Sequence, residues 1–259
     1  MSIAEKLVTI AENVQKVYEA GQKSSGGGAG YDEGYADGQQ AEKERFFTDY
    51  QNPDQDDYDY RFAGIGWNNN TFAPRQNIAP KTRAMSMFAR TGIKGDLVAI
   101  LQALNVTLDF SQCKLTQNLF ANANGITRLG VMDFSNMGSS YGSEFTNMNA
   151  LVTIDKMITS ENTSFTNMFG NDASLVNVTW EGVIAKSGLS FSKSTKLSQE
   201  SIISIITALS PATTGLAITL SLASVNKAFE TSEGANDGSD STKWRYLSWS
   251  KQNWTISLV

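Results

Sequence analysis

Three stretches of the chain share one pattern: residues 120–129 read FANANGITRL, residues 145–154 read FTNMNALVTI, and residues 169–178 read FGNDASLVNV. Each stretch begins with phenylalanine, and aliphatic residues occupy its seventh and tenth positions. The spacing between the stretches is 24 to 25 residues. A unit this short cannot bury its own apolar side chains, so it has to stack on its neighbours. This repeat therefore decides the predicted architecture.

Periods of about 20 to 29 residues with this aliphatic spacing are typical of leucine-rich repeats. We predict an α+β fold: a short leucine-rich-repeat solenoid with helical caps, preceded by an N-terminal oligomerisation or anchoring helix. The helical spacing of apolar residues over 97–104 indicates the N-terminal cap, and the apolar run over 198–209 indicates a C-terminal cap. Repeat arrays of this kind present extended surfaces to partners, which favours binding over catalysis.

The composition excludes several classes of enzyme. The chain has no histidine and one cysteine, which rules out histidine-based nucleophilic systems, disulfides within the chain and thiolate metal clusters. Apolar residues flank Cys113, so we predict that it is a buried core residue rather than a nucleophile. The net charge is −5 and no basic block occurs, which disfavours nucleic-acid binding. We therefore expect a non-enzymatic protein without a cofactor.

The N-terminus carries apolar residues at heptad spacing: Ile3, Leu7, Ile10, Val14 and Val17. Two interpretations are open. The pattern fits an amphipathic helix that docks on the rest of the protein, and it also fits a helix that self-associates or anchors the chain in a partner. Aliphatic and β-branched residues at both seam positions favour three or four helices over two. We favour self-association or anchoring, with a trimer as the expected oligomer.

The chain divides by composition into a heptad helix, a Gly/Ser linker, a helix with an extended connection, the capped solenoid and a C-terminal strand/helix segment: residues 1–22, 23–30, 31–82, 83–210 and 211–259. The acidic cluster Asp54–Asp59 resembles a calcium loop only superficially. Ile65 stands where such a loop needs a bidentate glutamate, so a solvated turn is the better interpretation.

Charged residues interrupt every apolar run near the N-terminus, and no stretch has the roughly 18 apolar residues that a membrane span needs. We expect synthesis in the cytoplasm without a signal peptide and no membrane span. The composition is poor in charge and rich in Ser, Thr, Asn and Gly, which predicts a surface like that of many extracellular or virion β-rich proteins. A virion component would reconcile the two observations.

Residues 165–178, FTNMFGNDASLVNV, resemble the BspA-like leucine-rich repeats of bacterial surface proteins. The segments Ile3–Val14 and Phe46–Tyr50 resemble prophage-encoded proteins of Gram-positive bacteria that belong to tail and host-recognition genes. BspA-like proteins are implicated in adhesion, so the resemblance implies a host-binding role. It carries over no catalytic residue.

These observations together predict a phage tail or baseplate adhesin that binds the bacterial host surface through its leucine-rich-repeat domain. The expected partners are other tail or baseplate subunits and a host glycan or protein. Exposed aromatic rings suit contact with sugars, and the candidates are Trp244, Tyr246 and Trp249, which could instead anchor the C-terminal core. The alternatives are a structural virion protein that binds other tail subunits and a bacterial surface adhesin.

Overall fold

The computed structural model of the chain describes residues 62–64, 72, 74, 77–137, 142–229 and 242–259. These residues belong to one compact unit, Asp49–Val259. Several predictions fall outside the described residues: the heptad helix with Ile3, Leu7, Ile10, Val14 and Val17, the Gly/Ser linker, and the acidic cluster Asp54–Asp59.

The repeated stretches of sequence form a parallel four-stranded sheet. Its strands are β1 (Gly95–Asp96), β2 (Ile126–Asp133), β3 (Thr153–Thr159) and β4 (Asn177–Gly182), in the order β1-β2-β3-β4. The tenth residue of each repeat occupies one register position, because Leu129 pairs with Ile154 and Ile154 pairs with Val178. These aliphatic side chains are buried side by side.

A second parallel sheet has three strands: β5 (Ser190–Phe191), β6 (Leu216–Leu220) and β7 (Trp254–Leu258), in the order β5-β6-β7. Helices connect the strands of this second sheet: α2 (Gln199–Ala208) joins β5 to β6, and α3 (Leu222–Phe229) and α4 (Thr242–Trp249) lie between β6 and β7. In the first sheet, helix α1 (Leu97–Ala103) follows β1. Parallel strands need such crossovers because the chain has to return to the same end of the sheet.

The predicted α+β fold, a short leucine-rich-repeat solenoid with helical caps, is wrong. The described residues form two parallel sheets with few helices, an α/β-like arrangement. The sequence pattern assigns residues 198–209 to a terminal cap and 211–259 to a separate segment, whereas the chain continues from α2 into β6 and from α4 into β7, each parallel to the strand before it. The equal spacing of the repeats places equivalent residues side by side on neighbouring parallel strands. Such a register occurs in other parallel sheets too, so it does not identify a leucine-rich repeat.

The repeated phenylalanines form the centre of the core. Six buried rings follow one another, with centroids 4.6–6.1 Å apart and ring planes within 26° of parallel for each successive pair: Phe62, Phe88, Phe120, Phe145, Phe169 and Phe191. Offset stacking of this kind adds to the hydrophobic stabilisation that burial of each ring supplies. The stack explains why phenylalanine begins each of the three repeats.

The third residue of each repeat is asparagine because the backbone turns there. Asn122, Asn147 and Asn171 have φ angles of 62°, 62° and 68°, a left-handed conformation that asparagine adopts more readily than most residues. Their side chains also form a ladder. The Nδ2 of Asn147 donates to Oδ1 of Asn122 at 3.0 Å, and the Nδ2 of Asn171 donates to Oδ1 of Asn147 at 2.8 Å.

Helix α2 covers the outer edge of β4. The Ser201 hydroxyl accepts from Val178 N at 2.9 Å, and the Ser204 hydroxyl accepts from Trp180 N at 2.7 Å. Both hydroxyls also donate to backbone carbonyls of the same stretch of chain. Ser198 caps the helix by accepting from Ser201 N. The edge backbone of β4 thereby finds partners without a fifth strand.

In the part of the chain that the structure describes, no helix combines the length and the apolar character needed to cross a membrane.

Candidate binding surfaces

The structure separates the two tryptophans that the sequence proposes as receptor contacts. Trp244 is buried, with 2% of its surface exposed, and its ring lies 5.4 Å from that of Phe229. Trp249, at the end of the same helix α4, is 60% exposed. The side chain of Tyr246 lies outside the described residues. Of the two candidates whose side chains the structure describes, Trp249 is therefore the one whose ring is presented to solvent.

Trp249 does not stand alone on its helix. The guanidinium carbon of Arg245, one helical turn earlier, lies 4.5 Å from the centroid of the Trp249 ring. This cation–π contact holds the indole in place and puts a hydrogen-bond donor group beside it. An ordered aromatic ring next to a guanidinium can stack on the apolar face of a sugar or a peptide group while the arginine binds a polar substituent.

A second surface lies on the four-stranded sheet. We call it the open face and define it by the exposed or half-exposed strand residues Arg128, Val131, Thr153, Lys156, Asn177, Thr179 and Glu181. Val131 is 47% exposed in the middle of β2. The open face combines hydroxyl, amide and charged groups with one exposed aliphatic side chain, a composition typical of a transient protein interface.

The two cationic side chains of the open face, Arg128 and Lys156, both form ion pairs. Arg128 makes a bidentate contact with the Asp155 carboxylate, through Nε at 2.8 Å and Nη2 at 2.9 Å, and its Nη1 lies 3.2 Å from Oδ2 of Asp96. The hydrogen bond to Asp155 is the main reason that the pKa of Arg128 rises above its ordinary value. Lys156 Nζ lies 2.7 Å from Glu181. The paired cations make this face a poor anion site and a hydrogen-bonding surface instead.

Asp172 is not among the residues that the sequence predicts to be functional, yet its carboxyl group is fully buried. Its Oδ1 accepts from the backbone N–H of Met148 at 2.8 Å, while its Oδ2 has no hydrogen-bond partner among the described residues. Burial raises the pKa of Asp172 from 3.8 to about 7, and the hydrogen bond from Met148 opposes this shift. No sequence signal marks the position, because aspartate alone does not reveal whether its turn faces the core.

The raised pKa of Asp172 predicts a pH-dependent stability. Below pH 3.8 the carboxyl is protonated in both states, and between 3.8 and about 7 only the folded chain keeps the proton. Stability therefore falls as pH rises through this window. Asp172→Asn keeps the acceptor for Met148 and removes the charge. We expect the free energy of unfolding of the variant, relative to that of wild type, to increase between pH 4 and pH 8 by no more than about 4 kcal/mol. Denaturant titrations at both values measure this.

Asp109→Asn is the matched control for this titration series, because Asp109 is exposed and its Oδ1 also accepts a backbone N–H, that of Ser111. The control should follow the wild-type pH dependence. If Asp172→Asn also follows it, the buried carboxyl does not govern stability in this pH range.

Cys113 is buried, which confirms the prediction from its apolar neighbours. Among the described residues, no group of three or more His, Cys, Asp or Glu side chains is arranged to hold a metal ion.

No protein-family model, curated protein or solved structure was found to match the chain.

Proposed function

We propose that the chain is a non-enzymatic recognition protein of a phage tail or baseplate that binds the surface of a Gram-positive host cell. The observation that carries this proposal is the exposed Trp249 ring beside Arg245. Tryptophan and arginine are the residues most enriched where binding energy concentrates at interfaces. The leucine-rich-repeat solenoid has no part in the proposal, because the fold differs from that prediction.

The proposed ligand is a glycan of the host cell wall. Sugar rings have an apolar face that stacks on indole and polar substituents that a guanidinium can bind, so the Trp249–Arg245 pair suits them. The predicted N-terminal association, with a trimer favoured, would repeat this contact within one particle. Several weak contacts then gain avidity without any new interaction.

The variant Trp249→Ala tests the contact. We expect the full-length variant to bind purified Gram-positive cell walls at least tenfold more weakly than wild type, a change of about 1.4 kcal/mol in binding free energy. Trp249→Phe should keep part of the affinity because it retains a stacking ring. Sedimentation of labelled protein with the walls, over a range of protein concentrations, gives the dissociation constants.

Val131→Thr is the matched control for cell-wall binding, since it also removes an exposed apolar side chain but on the open face. The control should bind the walls as wild type does. Equal binding by Trp249→Ala, Val131→Thr and wild type would remove Trp249 from the contact. No binding by wild type would contradict host-wall recognition itself.

The open face favours a second candidate function, that of a structural virion protein that binds another tail subunit. Its paired charges and its exposed Val131 match the mixed composition of protein interfaces. Val131→Lys places an extra charge in such an interface. If this variant fails to incorporate into particles while it still binds cell walls, the open face contacts the virion and Trp249 contacts the host.

A further inference from the structure

Strand β7 ends the second sheet, and among the described strands only β6 pairs with it. Val259 shows which residues of β7 direct their backbone groups toward β6, because its N–H donates to Leu220 O and its carbonyl accepts from Leu222 N. Because strand residues alternate, Thr255 and Ser257 also direct their backbone groups toward β6. Ile256 and Leu258 therefore direct their N–H and C=O groups away from β6.

This edge lacks the features that usually prevent strands from pairing with another chain. Residues 254–259 read WTISLV and contain no charged residue, no proline and no glycine. The edge of β4 is different, because serine hydroxyls of α2 bond its backbone. Within the described part of the chain, one sheet edge is covered and the edge at β7 offers a row of donors and acceptors.

We propose that β7 pairs with β7 of a second copy of the chain, in antiparallel orientation about a two-fold axis at Ser257. The two three-stranded sheets then become one continuous six-stranded sheet. The outward-facing residues Ile256 and Leu258 lie symmetrically on either side of Ser257, so each Ile256 exchanges two backbone hydrogen bonds with Leu258 of the other copy. No donor or acceptor of these two residues is left over.

The side chains fit the same register. Ile256 and Leu258 pack on the core side of the sheet, and they meet each other across the axis as apolar neighbours. Thr255 and Ser257 lie on the opposite side of the strand, where Ser257 faces Ser257 and Thr255 faces Val259 of the other copy. The strand is thus complementary to itself in polarity and hydrogen bonding, which is why we assign a second copy rather than an unrelated peptide as the occupant.

A cross-linking experiment with the full chain tests both the pairing and its register. In Ser257→Cys the two new thiols face each other at a non-hydrogen-bonded position, where the Cα atoms are about 4.5 Å apart, a separation that a disulfide spans. Mild oxidation should convert most of the protein to a disulfide-linked dimer. Cys113 is the only native cysteine and is buried, so it does not compete.

Thr255→Cys is the matched control, because the same strand face then carries the thiol four residues out of register with its symmetry mate. At about 3.3 Å per residue the two thiols are roughly 13 Å apart, beyond the reach of a disulfide. The proposal requires that Ser257→Cys cross-links and Thr255→Cys does not. Equal cross-linking of both variants indicates random collision and overturns it, as does the absence of any cross-link.

A charge-swap pair provides a second test that reports on the β7 contact itself. The mass of the assembly would not do so, because the predicted N-terminal association would also change it. Ser257→Lys and Ser257→Glu each place like charges opposite one another and should weaken the β7 contact at least tenfold. Mixing the two variants, each with a different fluorescent label, should restore association as mixed pairs detected by energy transfer. Unchanged self-association of either variant, or no mixed pairs, would exclude the two-fold at Ser257.

Discussion

Replacing Phe145 with alanine is expected to lower the free energy of unfolding by about 3–5 kcal/mol. The ring is fully buried and lies between two others, 6.1 Å from Phe120 and 5.2 Å from Phe169. Its removal leaves a cavity that the parallel strands on either side cannot close without breaking their register. Denaturant unfolding of the full chain, followed by far-ultraviolet circular dichroism, measures the loss.

Phe145→Leu is the control for this substitution, since it keeps most of the buried volume while it removes the aromatic stack. We expect it to lose clearly less stability than Phe145→Ala. A loss below about 1 kcal/mol for the alanine variant would mean that the stacked phenylalanines are not the centre of the core.

Replacing Gly182 with alanine is expected to cost more than about 2 kcal/mol, which is a large share of the stability of an ordinary domain. Gly182 has a φ of +85°, and a Cβ atom there would stand 2.1 Å from the carbonyl oxygen of Thr159. Backbone atoms of β3 block the space, so the neighbouring strand has to move. Thermal and denaturant unfolding of the variant and of wild type measure the effect.

Gly215→Ala separates the two causes of this loss. Gly215 also has a positive φ, +72°, but a Cβ atom there would meet no atom within 4 Å. This variant therefore carries only the conformational strain, about 1–2 kcal/mol. If Gly182→Ala were no worse than Gly215→Ala, the close approach of β3 and β4 at Thr159 would be wrong.

Local structure in the chain follows from local signals. The apolar run after Ser198 predicts a helix, and α2 begins at Gln199 with Ser198 as its cap. The alternation over 217–222 predicts a strand, and β6 spans Leu216–Leu220. The spacing over 97–104 predicts a helix, and α1 covers Leu97–Ala103. In each case a cap or a period of sufficient length specifies the element.

The arrangement of these elements could not be predicted in the same way. Strand β5 has two residues, too few for any period to reveal. The alternation of Val106, Leu108 and Phe110 predicts a strand, but only Leu108 makes a bridge, to Ile78. The second parallel sheet depends on crossovers through α2, α3 and α4, whose direction no local pattern specifies. Because neither strand β5 nor these crossovers could be predicted, the α+β prediction did not include the second parallel sheet and was wrong.

Trp244 is buried and Trp249 is exposed because the two residues lie on different sides of one helix. Both lie on α4, a helix that was not predicted. Five residues along an α-helix correspond to a rotation of about 140°, so the two rings lie on nearly opposite sides. One side packs on Phe229 and the other is exposed. Recognition of the helix would have been enough to separate a core residue from a surface one.

The most direct test of the proposed function is adsorption of phage particles to a Gram-positive host, with and without this chain. Host-surface recognition predicts that particles lacking the chain adsorb at least tenfold more slowly and that an excess of the free full-length chain blocks adsorption of intact particles. Particles that adsorb at the normal rate without the chain, together with a free chain that neither binds the cells nor competes, would contradict it.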